Sequence, residues 1–125
     1  MKKQILTTSI AALFLASCGG SGTSAPTVTL PANATVITAV SGLRLDAKAY
    51  GPVPAGDVLL GYTNADSMRH TLIISKDDVK VPNFKLVVAQ KGSTDSATVN
   101  LEKGVYTVLC DIPGHGNMNA TLTVE

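Results

Sequence analysis

The chain is expected to be all-β, a Greek-key β-sandwich of about eight strands in two sheets, and three observations predict it. Beyond residue 33, short segments rich in Val, Ile, Leu, Thr and Tyr are punctuated by Gly, Pro, Asn and Asp. Several segments alternate with period two: Val58, Leu60 and Tyr62; Leu72 and Ile74; Ala120, Leu122 and Val124. No stretch carries a long helical stripe. Alternation buries one face of a strand and wets the other, so two antiparallel sheets packed face to face, or a flattened barrel, follow.

Residues 1–17 read as an export signal, to be set aside before fold reasoning. Lys2 and Lys3 supply the positive start, and the apolar run from Ile10 to Ala16 is too brief to span a bilayer. The segment closes on Leu15-Ala16-Ser17-Cys18, which resembles a bacterial lipobox, in which the cysteine is lipid-modified and becomes the new N-terminus. An ordinary secretory cleavage site beside Cys18 is the simpler alternative. Residues 18–33, rich in Gly, Ser, Thr, Pro and Ala, read as the lipidated cysteine and a flexible tether. Residues 34–125 form the folded domain, with strands expected at 35–40, 43–47, 57–63, 71–75, 85–89, 96–101, 104–110 and 120–124. Turns are expected at 52–57 and 102–104, where Gly56 and Gly104 can take positive φ. Residues 77–83 are the least regular and are expected to be a loop or one short helical turn.

Charge excludes one class of function. Without Lys2 and Lys3 the exported chain has eight basic against nine acidic residues, scattered singly, so there is no basic patch for nucleic acid. Cysteine usage is more informative. With Cys18 lipidated, Cys110 has no disulfide partner although it faces an oxidising compartment. Metal ligation would protect such a thiol. Burial as a small hydrophobe is the plainer alternative.

The segment CDIPGHGNM, residues 110–118, places a cysteine at a strand end, with His115 and Met118 in the following loop. His70, the other of two histidines, stands just before an apolar strand. Non-adjacent strand ends of a Greek-key sandwich meet at one pole, so His70 can join Cys110, His115 and Met118. Two imidazoles, a thiolate and a thioether form the donor set of blue-copper electron-transfer sites. Singly, each of these residues has an ordinary reading as a buried or surface side chain. Met68, beside His70, reads as packing next to the site.

The residues also carry a resemblance. Val105 to His115, followed by Met118 to Val124, resembles the C-terminal signature of the cupredoxins, the type 1 blue-copper family of plastocyanin, azurin and auracyanin. Tyr62 to His70 resembles the family segment in which an Asn-containing strand end precedes the first histidine ligand. The resemblance implies one mononuclear copper, held by His70, Cys110 and His115 with Met118 axial. It implies that Asn64 and Thr71 support the site, and that Pro113 and Gly114 border an electron port at the edge of His115, with Pro52 a further contributor to that ring. Only Gly116 and Asn117 separate His115 from Met118, a short spacing expected to alter the axial bond. Thr71 stands where the family usually has Asn, and its hydroxyl is expected to donate across the site with a shorter reach. Asp111 is expected in solvent.

The function expected is therefore a membrane-tethered blue-copper electron carrier rather than an enzyme. It would cycle Cu(I) and Cu(II) between redox protein partners outside the cytoplasm, as a monomer held by a lipid anchor. A copper delivery or storage module is the first alternative, though no Met- or His-rich tract supports it. A thiol enzyme with His115 activating Cys110 is the second, but it lacks a recognisable nucleophile motif.

Overall fold

The computed structural model describes residues 29–125, so the expected signal peptide, the lipidation of Cys18 and most of the tether lie outside the described residues. The described chain forms ten strands and no helix: β1 (Thr35–Val40), β2 (Arg44–Leu45), β3 (Ala49–Val53), β4 (Gly56–Asn64), β5 (His70–Lys76), β6 (Val79–Lys80), β7 (Leu86–Val88), β8 (Thr94–Leu101), β9 (Gly104–Leu109) and β10 (Asn119–Val124). The first sheet has the order β2-β1-β4-β8; the second runs β3-β10-β9-β5-β6, with β7 also pairing with β5. The sandwich is as expected, in ten strands rather than about eight.

Both sheets are mixed, which corrects the expectation of antiparallel sheets. β1 lies parallel to β4, with Thr35 opposite Leu60 and Ala39 opposite Asn64. β3 lies parallel to β10, with Ala49 opposite Thr121 and Val53 opposite Val124. Side-chain alternation reports which face is buried and not which neighbour is paired, so strand direction left no mark in the pattern. The two strands not foreseen have local causes. β3 contains Gly51 and Pro52, residues that usually end strands, but it is an edge strand, where the missing N–H of proline is tolerated. β6 follows a two-residue hairpin in which Asp77 and Asp78 both take positive φ, replacing the expected loop or helical turn.

The core is the set of inward alternating residues: Ile37 and Ala39 of β1, Val58, Leu60 and Tyr62 of β4, Leu72 and Ile74 of β5, Tyr106 and Val108 of β9, and Ala120, Leu122 and Val124 of β10. Each large aliphatic among them contributes about 1.5–3 kcal/mol on burial. On the outer face of β4, Gly61 is covered by Leu30 and Ala34, whose carbons would stand 3.1–3.5 Å from a Cβ at that position. Asn33 and Thr35 share a cleft with Pro54, Ala55, Asp57 and Val58. The N-terminal segment thus attaches through the first sheet. β4 ends at Asn64, β5 begins at His70, β9 ends at Leu109 and β10 begins at Asn119, and the chain ends that meet there define one pole.

Candidate metal centre

At that pole His70, Cys110 and His115 come together, each buried, with one potential ligand atom from each lying within 4.8 Å of the others. Two pieces of chain supply them. His70 opens β5, which is held by β7 on one side (His70 opposite Val88) and by β9 on the other (Ile73 opposite Leu109). Cys110 follows the last residue of β9, and its N–H donates to Met118 O at 3.0 Å, closing the loop from 110 to 118. Within that loop the His115 N–H donates to Ile112 O (3.0 Å) and the Met118 N–H to His115 O (2.9 Å). Asn119 Nδ2 donates to Gly116 O at 2.8 Å. Gly114 takes φ +87°, a conformation that L side chains rarely adopt, and so lets the chain turn into His115.

Cys110 Sγ lies 3.6 Å from His115 Nδ1, and the two imidazole centroids are 5.2 Å apart at 53°. The Thr71 N–H donates to Cys110 Sγ at 3.4 Å, and Thr71 Oγ1 is equally far from the sulfur. That hydroxyl donates to Asp111 Oδ1, because a carboxylate only accepts, and receives the Asp111 N–H at 3.1 Å. The expected hydroxyl donation from Thr71 across the site is therefore replaced by a bond to Asp111. Asp111 is exposed, as expected, and its carboxylate also meets Lys85 Nζ at 3.1 Å. The Thr71 hydrogen bond, followed by Lys85, holds its carboxyl below the usual carboxylate range.

Met118 is fully buried at the loop's end, as is Asn64 beneath the pole. Asn64 Nδ2 donates to Met68 O (2.6 Å) and Val88 O (3.3 Å), tying the β4–β5 turn to β7. Met68, expected to pack beside the site, is about half exposed, at 47 %. Pro113 and Gly114 lie exposed in the loop before His115. His115 keeps 6 % of its surface, whereas His70 keeps none, so access to the pair is by the His115 edge. Pro52 is elsewhere: it sits on β3 beside the distal end of β10, about 17 Å along the strand from Met118, and takes no part in the ring. The residue that sequence reasoning missed is Asp66, whose Oδ2 stands 2.9 Å from His70 Nε2. Its carboxyl is held low by that bond and by the Ser67 N–H. The only trace in the sequence is an acid four positions ahead of a histidine.

The donor set fits a copper ion. His70 Nε2 is occupied by Asp66, while His70 Nδ1 is buried without any hydrogen-bond partner among the described residues. A buried polar atom left unpaired costs about 1–3 kcal/mol, so this nitrogen lacks a partner of the kind that a cation provides. Thiolate with two imidazoles is a donor combination that suits copper in both oxidation states.

Comparison with known proteins agrees. The family model for copper binding proteins of the plastocyanin/azurin family matches residues 52–125. Among solved structures, auracyanin from the photosynthetic bacterium Roseiflexus castenholzii superposes with a TM-score of 0.62 at 17 % identity, covering 78 % of this chain and 99 % of its own. Auracyanin B gives 0.61 at 23 % identity, over 78 % of this chain and 91 % of its own. Amicyanin from Paracoccus versutus (Thiobacillus versutus) gives 0.57 at 18 % identity, over 79 % and 88 %. At these identities the superpositions establish a shared fold. No curated protein sequence matches the chain.

Proposed function

Because the chain belongs to the plastocyanin/azurin family of copper-binding proteins, the cupredoxins, we propose that it is a single-electron carrier whose one copper would be held by His70 Nδ1, Cys110 Sγ, His115 Nδ1 and the Met118 thioether. The observation that carries this reading is the buried cluster of three ligand atoms within 4.8 Å of one another. When bound, copper supplies a one-electron couple between Cu(I) and Cu(II). Structures of amicyanin are described in an oxidised state and in a reduced Cu(I) form, which supports the same couple here. The protein's part is rigidity. The Cys110–Met118 and His115–Ile112 backbone bonds fix the loop, and β7 and β9 fix His70, so little of the chain need move when an electron passes.

The thin exposed edge of His115, bordered by Pro113, Gly114 and Gly116, is the proposed port for electrons. These neighbours are uncharged, so a redox partner would dock there by apolar contact, and the transfer rate should depend only weakly on salt. Export, lipidation at Cys18 and an extracytoplasmic membrane-tethered location remain part of the proposal, supported by the Lys2-Lys3 start and the Leu15–Cys18 sequence. Conversion of Cys18 to Ser should release the protein into the soluble fraction.

Two measurements test the carrier. Copper-loaded oxidised protein should be intensely blue from its Cu–thiolate bond, and the colour should vanish in Cys110→Ser. It should also give a reversible one-electron wave at an electrode. A colourless Cu(II) protein would overturn the site, whereas a blue protein that loses copper quickly to a chelator and shows no reversible wave would favour delivery or storage.

A further inference from the structure

One charged group at the ligand pole has no place in the donor set. Asp66 lies in the turn between β4 and β5, with its side chain 9 % exposed, four residues before His70. Its placement is built rather than incidental. The Asp66 N–H donates to Asn64 Oδ1 at 2.8 Å, and the Ser67 N–H donates to Asp66 Oδ1 at 2.7 Å. Asn64 is in turn anchored on Met68 O and Val88 O. One carboxylate oxygen therefore closes the turn, and the other is aimed at the imidazole.

We propose that Asp66 is a positioning residue that selects the His70 tautomer with its proton on Nε2, leaving Nδ1 as a bare lone pair for the metal, and that its negative charge favours Cu(II) over Cu(I). An ionised carboxylate has no proton to give, so at 2.9 Å it requires a donor, and the facing atom is Nε2. The opposite tautomer would put lone pairs against each other at Nε2. It would also leave an unpaired N–H at Nδ1, where the fully buried ring has no other partner. Carboxylate partners behind metal-bound histidines fix ring orientation and raise ligand basicity. This inference rests on the copper reading above for its effect on metal, but the tautomer itself is a property of the metal-free protein.

The experiment follows that division. Imidazole ¹⁵N NMR of metal-free wild-type protein, read on the neutral ring, should show the His70 proton on Nε2; a neutral ring with its proton on Nδ1 overturns the proposal, and this spectrum decides even if a variant folds poorly. In Asp66→Asn, the amide oxygen can keep the Ser67 bond while its NH2 faces Nε2 and donates, which inverts the tautomer and puts a proton where the metal binds. Cu(II) affinity should then fall about 10- to 100-fold. The reduction potential should rise, by about 59 mV for each tenfold loss of Cu(II) relative to Cu(I) affinity. Asp66→Glu should recover part of both effects. An unchanged tautomer and an unchanged potential in Asp66→Asn would overturn the assignment. A wild-type protein with the Nε2–H tautomer that stays colourless with copper would instead sink the carrier reading and leave the assignment of Asp66 standing.

Discussion

The single hydroxyl proton of Thr71 goes to Asp111, so among the described residues the Cys110 sulfur is left with one conventional donor, the Thr71 N–H. Hydrogen bonds to a copper-bound thiolate weaken its donation to Cu(II) and thereby raise the potential. Asp111→Ala should free the Thr71 hydroxyl to turn toward sulfur and shift the potential upward by voltammetry. The part of that shift due to the hydroxyl should disappear when Thr71→Val is added. Tyr62 offers a second test at this scale. Its hydroxyl is buried without a partner among the described residues, and burial, with the charge of Cys110 behind it, pushes its ionisation far above the usual tyrosine range. Tyr62→Phe removes an unsatisfied polar atom from the core and should stabilise the fold by about 1 kcal/mol in denaturant melts. The four proposed ligands were legible in the sequence because their chemical types are rare in this chain and their spacing is local apart from His70. The roles of Asp66 and Asp111 were not, because an acid's function depends on which donor it faces, and that is settled by a turn and by a strand 40 residues away in the chain.

Among the elements, the loop from Cys110 to Met118 shows how a short segment is held in shape without regular structure. Its backbone bonds leave Gly114 at φ +87° with open space around the site of a Cβ. Gly114→Ala therefore meets no clash, and its cost is the left-handed backbone alone, about 1–2 kcal/mol in the unfolding free energy of the metal-free protein. A loss much larger than that would mean that the loop packs against something there. The long strands β1, β4, β5, β8, β9 and β10 could be read from alternation to within two residues. β6 could not, since its two residues are both exposed and carry no pattern, and β3 was hidden because Pro52 and Val53 read as the start of a turn. Parallel pairing of β1 with β4 and of β3 with β10 joins segments that no local signal connects.

For the molecule as a whole, ligands drawn from β5 and from the β9–β10 loop mean that a metal binds only the folded chain at full strength. Saturation should then raise stability by about 4 kcal/mol when free copper exceeds its dissociation constant a thousandfold. That gain should appear as a higher melting temperature in the loaded protein and be largely absent in Cys110→Ser. The same topology is dominated by pairings distant in sequence, which places refolding in the millisecond-to-second range. The described N-terminal segment lies over β4 of the first sheet, with Leu30 and Ala34 against Gly61, while the loop bearing His115 belongs to the second sheet. The N-terminal segment and the loop bearing His115 thus rest on different sheets, so a change in the packing of residues 29–34 can leave the exposed edge of His115 as it is.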